Sequence, residues 1–125
     1  MGQKNQIQRI LIVDDEEGIR ESMAMLFEME GFYVKTADNG ASALLVAQAE
    51  SFDVVVSDIR MPVCGGMELL HRLKTLPGPM PVVFLISGDS LQMGHDTITQ
   101  GAKAVFCKPF SHRDLVTAIR ELPPA

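Results

Sequence analysis

The chain has 125 residues, 46% of them apolar and 22% charged, which excludes a disordered polymer and leaves room for one core rather than two. Sixteen acidic residues against eleven basic ones give a net charge of −5, the wrong sign for a protein that holds DNA or RNA through its phosphates. The longest apolar runs, Ile10–Val13 and Val82–Ile86, fall far short of the ~20 residues of a membrane span.

In chain order, Met1 to Gln6 offers neither the apolar region of a signal peptide nor the Ser or Thr of a myristoylation signal, so a cytoplasmic protein is expected. Ile10–Val13 is short, β-branched and continuously apolar, as a strand covered on both faces should be. Ile19, Met23, Leu26 and Phe27 then recur at helical spacing and turn one apolar stripe toward a sheet, until Gly31 ends the helix. Phe32–Thr36 alternates, with Phe32, Val34 and Thr36 on one face and Tyr33 and Lys35 on a wet one, the pattern of an edge strand. A helix over Asn39–Ser51, carrying Leu44, Leu45 and Ala47, precedes a central strand at Val54–Val56. The next helix runs over Met67–Leu76 and stops at Pro77-Gly78-Pro79, before a central strand at Val82–Ile86. The pattern over 90–100 is the weakest helix, because Gly94 interrupts it and Thr97-Ile98-Thr99 are all β-branched. That low local stability marks either a tolerated flaw or an element that shifts between two positions. Ala104–Cys107, after the turn signal Gly101, is the fifth strand. The last helix opens at Ser111 with Asp114 three residues on, resembling a capping box, presents Leu115, Val116, Ile119 and Leu122, and ends at Pro123-Pro124. Cys64 and Cys107, without CxxC spacing, read as reduced packing residues, and His71, His95 and His112 as surface residues.

Five strands alternating with five helices predict a doubly wound α/β domain: one flavodoxin-like five-stranded parallel sheet with helices on both faces. The half-polar second strand belongs at an edge, which favours the order 2-1-3-4-5. Every strand then ends on the same rim. After the first strand come Asp14 and Asp15, after the third Asp58, after the fourth Ser87 and after the fifth Lys108. Adjacent strands lie ~4.8 Å apart, so Asp15 and Asp58 face each other at the switch point, where ligands of such sheets bind.

Three carboxylates at that range repel one another, by about 1 kcal/mol per pair in water and about 4 at an effective dielectric of 20. Lys108 offers one compensating charge, and a hard divalent ion, Mg²⁺, is the natural source of the rest. Carboxylate, hydroxyl, lysine and Mg²⁺ together suit phosphoryl transfer, with Asp58 as the nucleophile that becomes an aspartyl phosphate. Asp15 and Asp58 hold the metal, Asp14 orients it through water, and Lys108 and Ser87 contact phosphoryl oxygens. Taken singly, each residue has a plainer explanation. Asp14, Asp15, Glu16 and Glu17 suit a helix N-terminus, Asp58 and Ser87 suit turns, and Lys108 suits a solvated surface. Their coincidence on one rim favours a site.

These motifs resemble the receiver domain of bacterial two-component response regulators. The likeness rests on Ile10-Leu11-Ile12-Val13-Asp14-Asp15-Glu16, on Asp53 to Pro62 with Gly65-Gly66, on Ile86-Ser87-Gly88 and on Lys108-Pro109-Phe110. It implies a receiver over residues 8–122 with tails at 1–7 and 123–125. It further implies phosphorylation of Asp58 by a sensor histidine kinase or phosphotransfer protein, with Mg²⁺ bound by Asp15, Asp58 and the backbone carbonyl of Arg60. A cis Lys108-Pro109 bond, self-catalysed phosphorylation, slow autodephosphorylation and no turnover of a free substrate are implied as well. So is a switch of the face formed by the 90–100 helix, the fifth strand and the last helix. A downstream output domain or target and a phosphorylation-dependent homodimer are among the partners it allows.

One departure stands out. The family usually carries Tyr or Phe three residues before the lysine, and here that residue is Val105, while Phe106 points to the opposite face. A second expectation concerns Arg60 and Asp89, which lie two residues after Asp58 and Ser87 and are either an ion pair fencing off the attacking water or two solvated side chains. Three rival functions remain. A phosphohydrolase with an aspartate nucleophile wants a second Asp two residues on, where Arg60 stands. A flavin carrier wants a hydroxyl-rich phosphate loop where Asp14 to Glu17 stand. A receiver that binds partners without phosphorylation would not need the complete site.

Overall fold

A computed structural model of the chain describes residues 8–88 and 101–123. Its elements are β1 (Arg9–Val13), α1 (Glu17–Met29), β2 (Tyr33–Ala37), α2 (Gly40–Ala49), β3 (Val54–Asp58), α3 (Gly66–Leu73), β4 (Val82–Ser87), β5 (Ala104–Cys107) and α4 (His112–Arg120). All strand pairs are parallel and the order is β2-β1-β3-β4-β5. The expected order and class are therefore observed. The expected helix over 90–100 lies outside the described residues, as do Asp89 and His95. Among the described residues, no helix is long and apolar enough to cross a membrane.

Two apolar layers sandwich the sheet because successive side chains of each strand point to opposite faces. Leu11, Val13, Val55, Val83 and Leu85 pack against α2 and α3 through Ala43, Leu69, Leu70 and Leu73. Ile10, Ile12, Val54, Val56, Phe84 and Ile86 pack against α1 and α4 through Met23, Phe27, Leu115 and Ile119. Val105 joins the first layer and Phe106 the second, as strand alternation requires. The Phe106 ring lies edge-on to Phe84 at 6.0 Å, so it fills core volume rather than substituting for an aromatic on the other face.

Several boundaries and faces differ from expectation. Met23 and Phe27 are buried, but Ile19 and Leu26 sit on the flank of the α1 stripe and are 37% and 40% exposed, because the helix touches the sheet along a line narrower than its apolar arc. In α2, Asn39 caps the helix by accepting the Ser42 N–H at 2.8 Å, and Leu45 faces solvent while Leu44 and Ala47 pack inward. Helix α3 stops at Leu73, three residues before expected, where the Thr75 and Leu76 N–H groups tighten onto the carbonyls of Arg72 and Leu73. The second strand is an edge, but Tyr33 is only partly exposed. The Arg9 guanidinium lies 4.1 Å from its ring centroid, and its hydroxyl donates to Glu50 Oε1 at 2.8 Å. Lys35 is exposed as expected, and Thr36, expected on the covered face, is exposed too. Ser111 accepts the Asp114 N–H at 3.2 Å, the capping bond expected at α4. Cys64 is buried, but Cys107 is exposed at the end of edge strand β5 and is not a packing residue; both are free thiols. His71 is exposed, whereas His112 is half-buried with its ring 5.1 Å from Phe110.

Two glycines let backbones approach near the rim. A Cβ on Gly66 would fall 2.5 Å from the Asp58 carbonyl oxygen, and one on Gly40 would fall 2.5 Å from that of Cys64. Only glycine admits those distances, so the N-termini of α3 and α2 are drawn close to the loop after β3.

Candidate functional site

The register places the site. Val13 pairs with Ser57, Asp58 with Ile86, and Ser87 with Cys107, so Asp14, Asp58, Ser87 and Lys108 arrive on one rim. Asp58 and Ser87 are the last residues of β3 and β4 rather than the first residues of loops, which fixes their backbones within the ladder. The N–H of Ile59 donates to the Ile86 carbonyl at 2.9 Å and that of Lys108 to the Ser87 carbonyl at 2.8 Å, which continues the ladder one residue past the strands.

Asp58 is buried, and both its carboxylate oxygens are engaged. Oδ2 accepts from Lys108 Nζ at 2.8 Å, and Oδ1 accepts the backbone N–H of Arg60 at 3.2 Å. Its carbonyl accepts the buried Ser57 hydroxyl at 2.9 Å. Asp14 is 2% exposed, and its Oδ1 accepts the Glu16 N–H at 2.9 Å. Asp15 is exposed and completes the group: one carboxylate oxygen each from Asp14, Asp15 and Asp58 lies within 4.8 Å of the others. The Lys108-Pro109 peptide is cis, as expected. Ser87 is buried at the end of β4. The side chain of Arg60 is directed to solvent, and only its backbone meets Asp58.

Electrostatics follow from that crowding. Burial raises the Asp14 carboxyl above its ordinary range; the Glu16 N–H and the Lys108 charge oppose the rise, and the charges of Asp58 and Asp15 add to it. The hydrogen bond to Asp58 raises the Lys108 ammonium, against partial burial, with the charges of Asp58, Asp14 and Glu16 assisting. Three carboxylates face one ammonium, which leaves negative charge in excess. The donor set is all oxygen and partly sequestered, so it suits a hard divalent cation rather than a thiol- or imidazole-seeking metal.

Sequence reasoning named Asp14, Asp15, Asp58, Ser87 and Lys108, and the structure brings all five to one rim. It missed the residues that hold them. These are Ser57 under Asp58, the Ala37 carbonyl that accepts the Asp14 N–H at 3.1 Å, and Arg20, whose Nη1 donates to the Asp14 carbonyl at 2.9 Å. An arginine closing the first turn of a helix that follows an acidic pair was the available signal.

Comparison with known proteins agrees with this geometry. The family model of the response regulator receiver domain matches residues 10–120. Sporulation initiation phosphotransferase F of Bacillus subtilis is 32% identical over 117 residues, which are 94% of each chain. The probable transcriptional regulatory protein TcrX of Mycobacterium tuberculosis is 34% identical over 113 residues, 90% of this chain but 48% of that protein. The chain thus spans about half the length of some curated relatives and nearly all of others. Among solved structures, response regulator TrrA of Thermotoga maritima, in complex with Mg²⁺ and BeF, superposes with a TM-score of 0.82 at 28% identity, covering 94% of this chain and 100% of that one. Order of strands, placement of the acids and these likenesses agree, and the chain belongs to the family of response regulator receiver domains.

Proposed function

We propose that the protein is the phosphoacceptor of a two-component phosphorelay and that Asp58 carries the phosphoryl group. The observation that bears most weight is the partly buried Asp58–Lys108 ion pair, 2.8 Å long, set among two further carboxylates. An Asp58 carboxylate oxygen attacks phosphorus of a phosphohistidine on a sensor kinase or phosphotransfer protein. An O–P bond forms, the N–P bond breaks, and the imidazole leaves with the electron pair and takes up a proton. Lys108 then follows the charge from the carboxylate to a phosphoryl oxygen, and the Ser87 hydroxyl donates to another.

Asp15, Asp58 and the Arg60 carbonyl would hold Mg²⁺, with Asp14 acting through water; the ion would supply positive charge facing the equatorial oxygens. That TrrA is solved in complex with Mg²⁺ and BeF, a stand-in for a tetrahedral phosphoryl group, supports a Mg²⁺-dependent phosphoryl site on this fold. Arg60 stands where an aspartate-nucleophile hydrolase would need a general acid, so turnover of a free substrate is not part of the reading. The readout surface includes β5 and α4, and its partners are a downstream target, an output domain or a second copy of the chain. The site of action is the cytoplasm.

Incubation of the full chain with acetyl phosphate and Mg²⁺, followed by intact mass measurement, tests this. The expected result is the added mass of one phosphoryl group, labile to base, in wild type and its absence in Asp58→Asn. Equal labelling of that variant would refute the assignment.

A further inference from the structure

The phosphoacceptor reading employs the acids and Lys108 but leaves unused the other cation close to them, Arg20. Helix α1 starts without a side-chain cap: Glu16 stands at the N-cap, and its side chain makes no capping bond. The turn from β1 into α1 therefore depends on other contacts, and they converge on Asp14. Its N–H donates to the Ala37 carbonyl at 3.1 Å, its Oδ1 accepts the Glu16 N–H at 2.9 Å, and its carbonyl accepts Arg20 Nη1 at 2.9 Å. The Arg20 backbone N–H meanwhile donates to the Glu16 carbonyl at 2.9 Å, closing the first helical turn. One half-buried residue thus grips both ends of the turn, and its guanidinium holds the peptide plane that joins Asp14 to Asp15.

We infer that Arg20 is a positioning residue for the metal-binding acids: its guanidinium, through Nη1, fixes the Asp14 carbonyl and so aims the exposed Asp15 carboxylate at Asp14 and Asp58. This rests on the reading of those acids as a Mg²⁺ site. It makes a prediction opposite in sign to simple electrostatics. A guanidinium beside a cation site repels the incoming ion, so if charge were its only influence, removing it would tighten Mg²⁺ binding. If it positions the acids, removing it weakens binding despite the relief of repulsion.

The experiment compares wild type, Arg20→Gln and Arg20→Lys in Mg²⁺ titrations followed by backbone amide shifts, together with hydrogen exchange of the Glu16 amide without metal. Arg20→Gln should weaken Mg²⁺ binding by about tenfold, the range found for outer-sphere partners of metal ligands. It should also speed exchange at Glu16. Arg20→Lys keeps the charge but not the planar fork, so it should restore only part of either property. Tighter or unchanged Mg²⁺ binding in Arg20→Gln would overturn the inference. Absence of any Mg²⁺ response in wild type would instead sink the metal reading. The Glu16 amide would then still decide whether Arg20 fixes the turn: faster exchange in Arg20→Gln supports that, and unchanged exchange refutes it.

Discussion

Replacing Asp14 by Asn should stabilise the metal-free protein at neutral pH. The carboxylate oxygens of Asp14, Asp15 and Asp58 lie within 4.8 Å, a separation at which each pair repels by about 0.9 kcal/mol in water and about 3.5 kcal/mol at an effective dielectric of 20. Asp14 faces two such neighbours and is compensated only in part by Lys108. Asn is isosteric and keeps an oxygen for the Glu16 N–H, so the substitution removes charge without removing the turn's hydrogen bond. The net gain should be about 1–3 kcal/mol, read as a higher urea midpoint by far-ultraviolet circular dichroism in EDTA. The pH dependence follows from the raised Asp14 carboxyl. Its native pKa lies above the ordinary 3.8, so the native state holds the proton more tightly than the unfolded chain. Wild-type stability falls as pH climbs through that interval, and the advantage of Asn is complete above it and vanishes below it. Mg²⁺ should narrow the gap, since it binds and stabilises the wild type more strongly. A variant no more stable than wild type at neutral pH in EDTA would refute the claim that the rim carries unrelieved repulsion.

Lys108→Met leaves the buried Asp58 carboxylate beside Asp14 without its ammonium. Because Lys108 is about a third exposed, the cost should be about 1–3 kcal/mol in EDTA, below that of a fully buried pair, and Mg²⁺ should recover part of it. The raised Lys108 pKa means the pair's contribution is complete below the ordinary 10.5 and lost only as pH passes the higher native value, so the difference from wild type should be flat between neutral and mildly alkaline pH in urea titrations. Gly66→Ala and Gly31→Ala should both lose stability, for different reasons. The first drives a Cβ against the Asp58 carbonyl, at a cost of about 1–3 kcal/mol and with weaker Mg²⁺ binding. The second meets open space but forces alanine to a φ of +97°, costing about 1 kcal/mol and leaving Mg²⁺ binding intact.

The sheet order was legible because burial on both faces writes continuous apolar runs into β1, β3 and β4, whereas the half-polar β2 reads as an edge. The acids and the lysine were legible because a parallel sheet delivers every strand end to one rim, so the residue at each terminus is informative by position alone. What escaped depends on contacts between elements far apart in the chain. Tyr33 is partly covered because Arg9 lies over it and Glu50 accepts its hydroxyl, and neither partner is implied by alternation along β2. Arg20 escaped for a related reason: helical spacing places it on α1 but says nothing of a carbonyl lying behind the helix start. The lengths of β3 and β4 were underestimated because Asp58 and Ser87 are polar, and polar residues at strand ends read as loop.

The opposite end of the sheet offers a contrast. There Arg9 pairs with Glu50 at 2.6 Å, donates to the Ser51 carbonyl and lies over Tyr33, and its backbone N–H donates to Asp53. Glu50 at that end meets a guanidinium directly, while at the other end three clustered carboxylates share one ammonium. Added salt screens both ends but with opposite consequences, slackening the first and calming the second. Ionic strength therefore redistributes firmness along the strands, and a modest change in overall melting would conceal two larger and opposing local ones.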